Sequence, residues 1–262
     1  MLENQVIKSI LNRKSIRRYT NEMPSDEVLE TVVRAGQQAP FASQLASLLL
    51  RRDLQNNTFN APLLFTVCVD VHKWELIMER RGWEMVASDS LLMLLGMQDA
   101  ALMAENMVMA AESLGMGSCF LGNAPYRSSQ IIAEYKLPKR VFPMVQLTMG
   151  YPAEDPPPRP RYPMDFVLFE DQYPHFDEEL IQLSMDRMDR GYLAQDYYRR
   201  NKAMIPIKID REETFTLDNY SWTEHICRKW GQWTFPDNLL EQFKKCGFQI
   251  GRPASHPEGN SG

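Results

Sequence analysis

"DAALMAENMVMAAESLGMGSCFLG", residues 99–122, decides the fold. From Gln98 to Ser113 apolar side chains, among them Ala100, Leu102, Met103, Met107, Val108 and Ala111, point almost all round a helix, and a helix with no polar face is buried on every side. The pattern predicts a central core helix with its methionines as core filling. Glu105 and Asn106 interrupt the run, so it is not read as a membrane span. Gly115 follows, suited to the left-handed conformation that ends helices. Gly115, Gly117 and Gly122 then fall within eight residues, which lets backbone N–H groups approach a flat ligand closely; a plain packing turn reads equally well. The spacing is not GxGxxG after a strand, so the dinucleotide fingerprint is absent.

The flanks supply the other layers. Leu2, Val6, Ile7, Ile10 and Leu11 recur at helical spacing and predict a first helix with one buried face. A second helix starts at Ser25, whose hydroxyl can cap it, with Asp26 and Glu27 in its positive first turn. "LASLLL" (45–50), "LLFTVCVD" (63–70) and "PMVQLTMGY" (143–151) read as strands, and a helix capped near Ser128 carries Ile131, Ile132 and Tyr135. Helices and strands alternate irregularly, the mark of an α+β fold or a mixed sheet. Six prolines in "PAEDPPPRPRYP" (152–163) forbid regular structure there. Helical patterns follow at 177–200, 222–231 and 236–246, the last opened by Pro236 and closed by Gly247. This polar C-terminal third reads as a helical arm packed on the core or on a partner subunit. The expected organisation is thus a core over 1–170, a helical extension over 171–250 and a flexible tail over 251–262.

Composition narrows the function. With 262 residues, 44% hydrophobic, 24% charged and a net charge of −5, the chain has no general attraction for nucleic acid or an anionic membrane, so any anion site is local. The start "MLENQVIKSIL" has no basic and apolar leader pattern, which points to the cytoplasm. Cys68, Cys119, Cys227 and Cys246 form no CxxC pair, and His72, His175, His225 and His256 lack metalloprotease spacing, so neither disulfides nor a metal site is expected. No GxSxG or Walker pattern occurs.

Two basic stretches stand out in this acidic chain. "NRKSIRRYT" (12–20) places Arg13, Lys14, Arg17 and Arg18 within six positions, with Ser15 among them. Such residues complement a helix C-terminus and face water, or they hold a phosphate through guanidinium forks and a hydroxyl. Arg159 and Arg161 alternate with prolines that fix the backbone; that segment is either a solvated extended stretch or a second, rigid contribution to the same anion site. Gln44, after the second helix, can hydrogen-bond the edge of a heterocycle through both amide atoms.

These stretches together, "RKSIRRYT", "QAPFASQLASLLLRRD", "DAALMAENMVMAAESLGMGSCFLG" and "LPKRVFPMVQLTMGYPAEDPPPRPRYP", in this order and spacing over residues 3–170, resemble the FMN-dependent nitroreductase and NAD(P)H-flavin oxidoreductase superfamily. The resemblance is to the group of the major oxygen-insensitive nitroreductase and the NADPH-flavin reductases, and extends weakly through "SWTEHICRKW" and "LLEQFKKCGF". It implies an α+β fold with a mixed, mostly antiparallel central sheet flanked by helices, and a homodimer with FMN at the interface. By position, Arg13, Lys14 and Ser15 would meet the FMN phosphate together with Arg159 and Arg161, and Arg17 would approach the N1/O2 side of the ring. Pro40, Ala42, Ser43 and Gln44 would come from the other subunit, and Leu121, Gly122 and Asn123 would lie near N5 and O4. The implied activity is ping-pong hydride transfer from NAD(P)H through flavin N5 to small-molecule acceptors: nitro compounds, quinones or flavins. No side-chain catalytic acid is named, because the flavin is the reactive centre. Alternatives on the same scaffold are a specialised reductase, dehalogenating or ene-type, and a non-catalytic FMN carrier or sensor. Residues 202–220 look inserted and more acidic than the basic loop that receives the NADPH phosphate in the nearer relatives, and residues 72–85 match no familiar segment.

Overall fold

The computed structural model describes residues 2–232 and 238–252, which divide into two compact units, Met1–Pro156 with Pro236–Gly262, and Pro157–Phe235. In the first unit the order is α1 (Gln5–Asn12), α2 (Asp26–Gln37), β1 (Ala46–Arg52), β2 (Leu63–Asp70), α3 (His72–Arg80), α4 (Asp89–Ser113), β3 (Gly117–Leu121), α5 (Ser128–Tyr135), β4 (Val141–Gly150) and, after the second unit, α9 (Leu239–Lys245). The four strands form one sheet in the order β1-β2-β4-β3, every neighbouring pair antiparallel. A parallel contact is added where Ser15 bridges Ser118.

The core forms where the opening sequence places it. Met107, Val108 and Ala111 of α4 are fully buried against Leu63, Phe65, Leu147 and Met149 of the sheet, with Val32 of α2 beside them. Burial of side chains of this size is worth about 1.5–3 kcal/mol each. α4 is longer than its periodicity suggests, because a Ser88 hydroxyl cap and a second apolar stretch, Leu92 to Gly96, extend it N-terminally. The Ser25 cap of α2 forms as expected, its Oγ accepting from the Val28 N–H at 3.3 Å, and Gly115 takes φ +78° after α4.

Four expectations need revision. α1 buries no residue: Val6, Ile10 and Leu11 are more than half exposed, since nothing else among the described residues covers that face. The turn at 117–121 is a strand, β3, too short and too glycine-rich to show an alternating pattern. Ser128 does not cap α5 but donates to Gln242 Oε1 at 2.5 Å, while the helix runs on from a 3-10 turn over Ala124–Arg127. Residues 72–80, unassigned from sequence, are α3. α9 belongs to the first unit, where Phe243 packs on Phe142 with ring centres 4.6 Å apart, and Gly247 ends it at φ +88°; Pro236 and the tail from residue 253 lie outside the described residues.

The second unit contains α6 (Glu178–Ala194), α7 (Tyr197–Arg200) and α8 (Trp222–Gly231) around Met188, Tyr192, Tyr198 and Tyr220. Its fastening is Arg228, whose side chain is 4% exposed. Its guanidinium donates to Glu224 (2.7 Å), to both oxygens of Glu213 (2.6 and 2.7 Å) and to the Ile205 carbonyl (2.8 Å), and lies 5.0 Å from the Tyr220 ring centre. The 202–220 segment is therefore tied to α8 through Arg228, with Tyr220 and His225 adding a hydrogen bond of 3.1 Å.

Candidate functional site

The chain after α1 turns extended at Arg13 and runs beside β3, with the Ile16 N–H donating to the Ser118 carbonyl at 2.8 Å. Gly117 permits this approach: a Cβ there would stand 2.4 Å from Ile16 Cγ1. Alternation in an extended segment sends neighbouring side chains to opposite sides, and the cations sort accordingly. Lys14 pairs with Asp155. Arg18 pairs with Glu154 at 3.1 Å, and that carboxylate also accepts the N–H groups of Arg17 and Arg18. Burial, the largest single influence, pushes the Glu154 pKa up, but the hydrogen bonds from Arg17 and Arg18 together overcome it and hold the carboxyl below its ordinary value.

Arg13 and Arg17 differ. Among the described residues neither guanidinium has an ion pair or hydrogen bond, although both are only half-exposed. With Ser15 they flank Cys119, whose thiol pKa is raised, chiefly by burial and against the pull of Arg17, Ser15 and Arg13. Beyond Cys119, β3 ends at Leu121, and Gly122 and Asn123 are exposed at its tip. A Cβ on Gly122 would meet nothing within 4 Å, so the backbone there faces open space. The structure thus brings Arg13, Ser15 and Arg17 alongside the strand that leads to Leu121–Asn123.

Pro40, Ala42, Ser43 and Gln44 lie elsewhere in the same unit. Their loop precedes β1, which is the opposite edge of the sheet from β3. Ala46 pairs with Val69, at the level of Phe142, whereas Ser118 pairs with Met149. Strand geometry separates the two groups by about 14 Å across the sheet and about 20 Å along it. Pro40, Ala42 and Gln44 are exposed, and Gln44 has φ +53°. Three backbone N–H groups of this loop converge on Asp99 of α4, from Ala42 (2.6 Å), Ser43 (3.2 Å) and Leu45 (2.8 Å). Trp74 of α3 donates its Nε1–H to the Ser43 carbonyl at 2.6 Å. A cleft of about 130 Å³ opens beside the loop, lined by Pro40, Phe41, Gln44, Lys73, Asp99 and Met103. Neither Asp99 nor Trp74 stands out in the sequence, where the one signal for the first is a carboxylate at the head of the apolar stretch from Ala100.

In the second unit Arg159 donates to Gln195 at 2.6 Å and lies 4.1 Å from the Tyr197 ring centre. Arg161 is exposed and donates only to the carbonyls of Arg159 and Pro160, both at 3.0 Å. Neither pairs with a carboxylate among the described residues.

An antiparallel sheet backed by a buried central helix carries arginine forks without an ion pair at one edge and an open glycine tip beside them, an arrangement that suits an anionic ligand. The nitroreductase family model matches residues 10–51 and 51–151, more than half of the chain. The chain belongs to the nitroreductase family. It is 27% identical over 229 residues to "FMN reductase (NADPH)" of Bacillus subtilis, covering 81% of this chain and 89% of that one. It is 29% identical over 203 residues to "Oxygen-insensitive NADPH nitroreductase" of Salmonella typhimurium, covering 72% and 83%. Among solved structures, B. megaterium NfrA2 superposes with a TM-score of 0.80 at 26% identity, over 95% of this chain and 100% of that one.

Proposed function

We propose that the protein is an FMN-dependent NAD(P)H oxidoreductase acting on nitro compounds, quinones or flavins, as a cytoplasmic homodimer that builds each flavin site from both chains. The observation that carries this is the sorting of the cations: Lys14 and Arg18 are paired with Asp155 and Glu154, while Arg13, Arg17 and Arg161 form no ion pair among the described residues. Guanidinium groups that make no ion pair, half-buried at Arg13 and Arg17 and exposed at Arg161, suit a phosphate dianion, which takes several charge-assisted hydrogen bonds. Arg13 and Ser15 would hold it, with Lys14 adding less while Asp155 holds it; the contribution of Arg159 and Arg161 is the one the family resemblance implies. Arg17 would offer a cation to the ring where negative charge builds, and the open backbone at Gly122 and Asn123 would offer N–H groups near N5 and O4. When bound, FMN would supply the redox chemistry, two-electron transfer between nicotinamide and acceptor, and the residues named would bind and orient it.

Two features support the dimer. Within one chain Pro40 to Gln44 lie across the sheet from Arg13 and Arg17, which fits a site that a second copy completes. Apolar side chains also stay uncovered, on α1 and at Leu94 and Leu102 of the core helix α4. The relatives' names, an NADPH-linked FMN reductase and an NADPH nitroreductase, agree with the chemistry.

The test is anaerobic mixing of the flavin-loaded protein with NADH or NADPH. Loss of the flavin absorbance, and its return on adding a nitroaromatic or quinone, is the expected result. A protein that keeps its flavin and is bleached by neither nucleotide is a carrier, and the enzymatic reading fails.

A further inference from the structure

We propose that Asp99 is a positioning residue for the flavin, acting through the loop that carries Gln44; the inference rests on the reading that this loop meets FMN. Asp99 sits on the core helix α4 and is only 3% exposed. A buried carboxylate is costly unless its oxygens are satisfied, and a hydrophobe of similar volume at such a place is often at least as stabilising. Asp99 has no ion pair among the described residues and is satisfied by backbone alone. Oδ1 accepts from Ala42, and Oδ2 from Ser43 and Leu45.

The amide of Gln44 is the one left out. The chain turns through the left-handed region at that residue, φ +53°, so that the flanking amides can converge on one carboxylate. That conformation is unfavourable for a side-chain-bearing residue and persists only where the surroundings fix it. Here they do so from two helices, because Trp74 of α3 holds the Ser43 carbonyl while Asp99 of α4 holds the amides. Lys73 then secures the start of β1, its Nζ donating to the Ala46 carbonyl at 2.6 Å. The result is a loop whose backbone is clamped and whose side chains at Pro40, Phe41, Ala42 and Gln44 are exposed. A clamp of this kind fixes the direction in which Gln44 presents its amide, which is what recognition of a ring edge requires. It also gives the α3 segment a role, as the loop's second tether.

The experiment is a double-mutant cycle on FMN binding, with Asp99→Asn, Gln44→Ala and the pair, each titrated with FMN by fluorescence. Asp99→Asn keeps the volume but turns an amide N–H towards backbone donors. D99N alone is expected to raise the FMN dissociation constant about tenfold. In the Q44A background the same change should cost less than threefold, because the residue it orients is gone. Equal losses in both backgrounds, or no loss in D99N, overturn the positioning role while leaving the flavin reading intact. A wild-type chain that takes up no FMN overturns the flavin reading and this inference with it. If D99N does not fold, D99S, smaller and able to keep one of the three hydrogen bonds, goes through the same cycle and is judged by the same outcomes.

Discussion

Arg228 in the second unit and Arg13 and Arg17 in the first are the same chemical group put to opposite uses. Arg228 is buried and every face is answered: Glu213, Glu224, the Ile205 carbonyl and two aromatic rings. The hydrogen bonds to Glu213, together with that to Glu224, hold its pKa above even the usual arginine value despite desolvation. Arg13 and Arg17 are half-buried and make no ion pair or guanidinium hydrogen bond among the described residues. A guanidinium that closes its own network holds the fold together, whereas one left open beside a cleft or strand edge is available to a ligand. Counting arginines in the sequence does not separate these cases; their partners do.

Replacing Arg228 by Ala should have the largest effect, because it strips Glu213 and Glu224 of their counter-charge. A loss of about 2–3 kcal/mol is expected, since Arg228 is buried but its partner Glu213 is 40% exposed, read by urea unfolding with tryptophan fluorescence. A loss below about 1 kcal/mol would break the contrast from the structural side. Arg13→Ala, Arg17→Ala and Arg161→Ala should each weaken FMN binding by about 1.5–3 kcal/mol, the worth of a charged hydrogen bond. Each should leave the stability of the flavin-free protein within about 0.5 kcal/mol. Should these variants unfold the protein and bind FMN normally, they belong with Arg228 and the site assignment is lost.

Lys14→Ala sharpens the comparison within one stretch. It breaks a surface pair with the exposed Asp155, worth less than about 1 kcal/mol, and should weaken FMN less than Arg13→Ala does. The smallest effect is expected from His225, which shares a hydrogen bond of 3.1 Å with Tyr220. Burial, and after it the charge of Lys229, lowers the His225 pKa below its ordinary 6.5. The unfolded chain then binds more protons than the folded one just below that pH, so stability is full above about pH 6.5 and declines as pH falls through the folded pKa. Unfolding of His225→Gln across pH 7 to 5 should show a shallower decline, and an unchanged slope would reject this origin.

The core was legible because burial leaves a pattern in the residues buried. The all-round apolar stretch from Ala100 to Ala111 reads as a core helix, and the runs at 45–50, 63–70 and 143–151 as strands, and both form where they are read. The basic stretch 13–18 was visible as a ligand candidate for the same reason, since four cations in an acidic chain are conspicuous. β3 escaped because five residues with a glycine at the start carry no period, and Asp99 because one carboxylate in an apolar helix announces a cost without naming its partner.

The sequence by itself therefore determined the buried centre of α4, the core strands and the Ser25 start of α2, and it marked the basic stretch 13–18 as a ligand candidate, since each follows from short-range patterning of polarity and backbone freedom. Only the tertiary structure decided which arginines are spent on carboxylates and which stay open, and that a helix-borne Asp99 clamps a loop 57 positions back at Ala42. Such pairings depend on distances between residues remote in the chain, and those are set by packing rather than by any pattern along it.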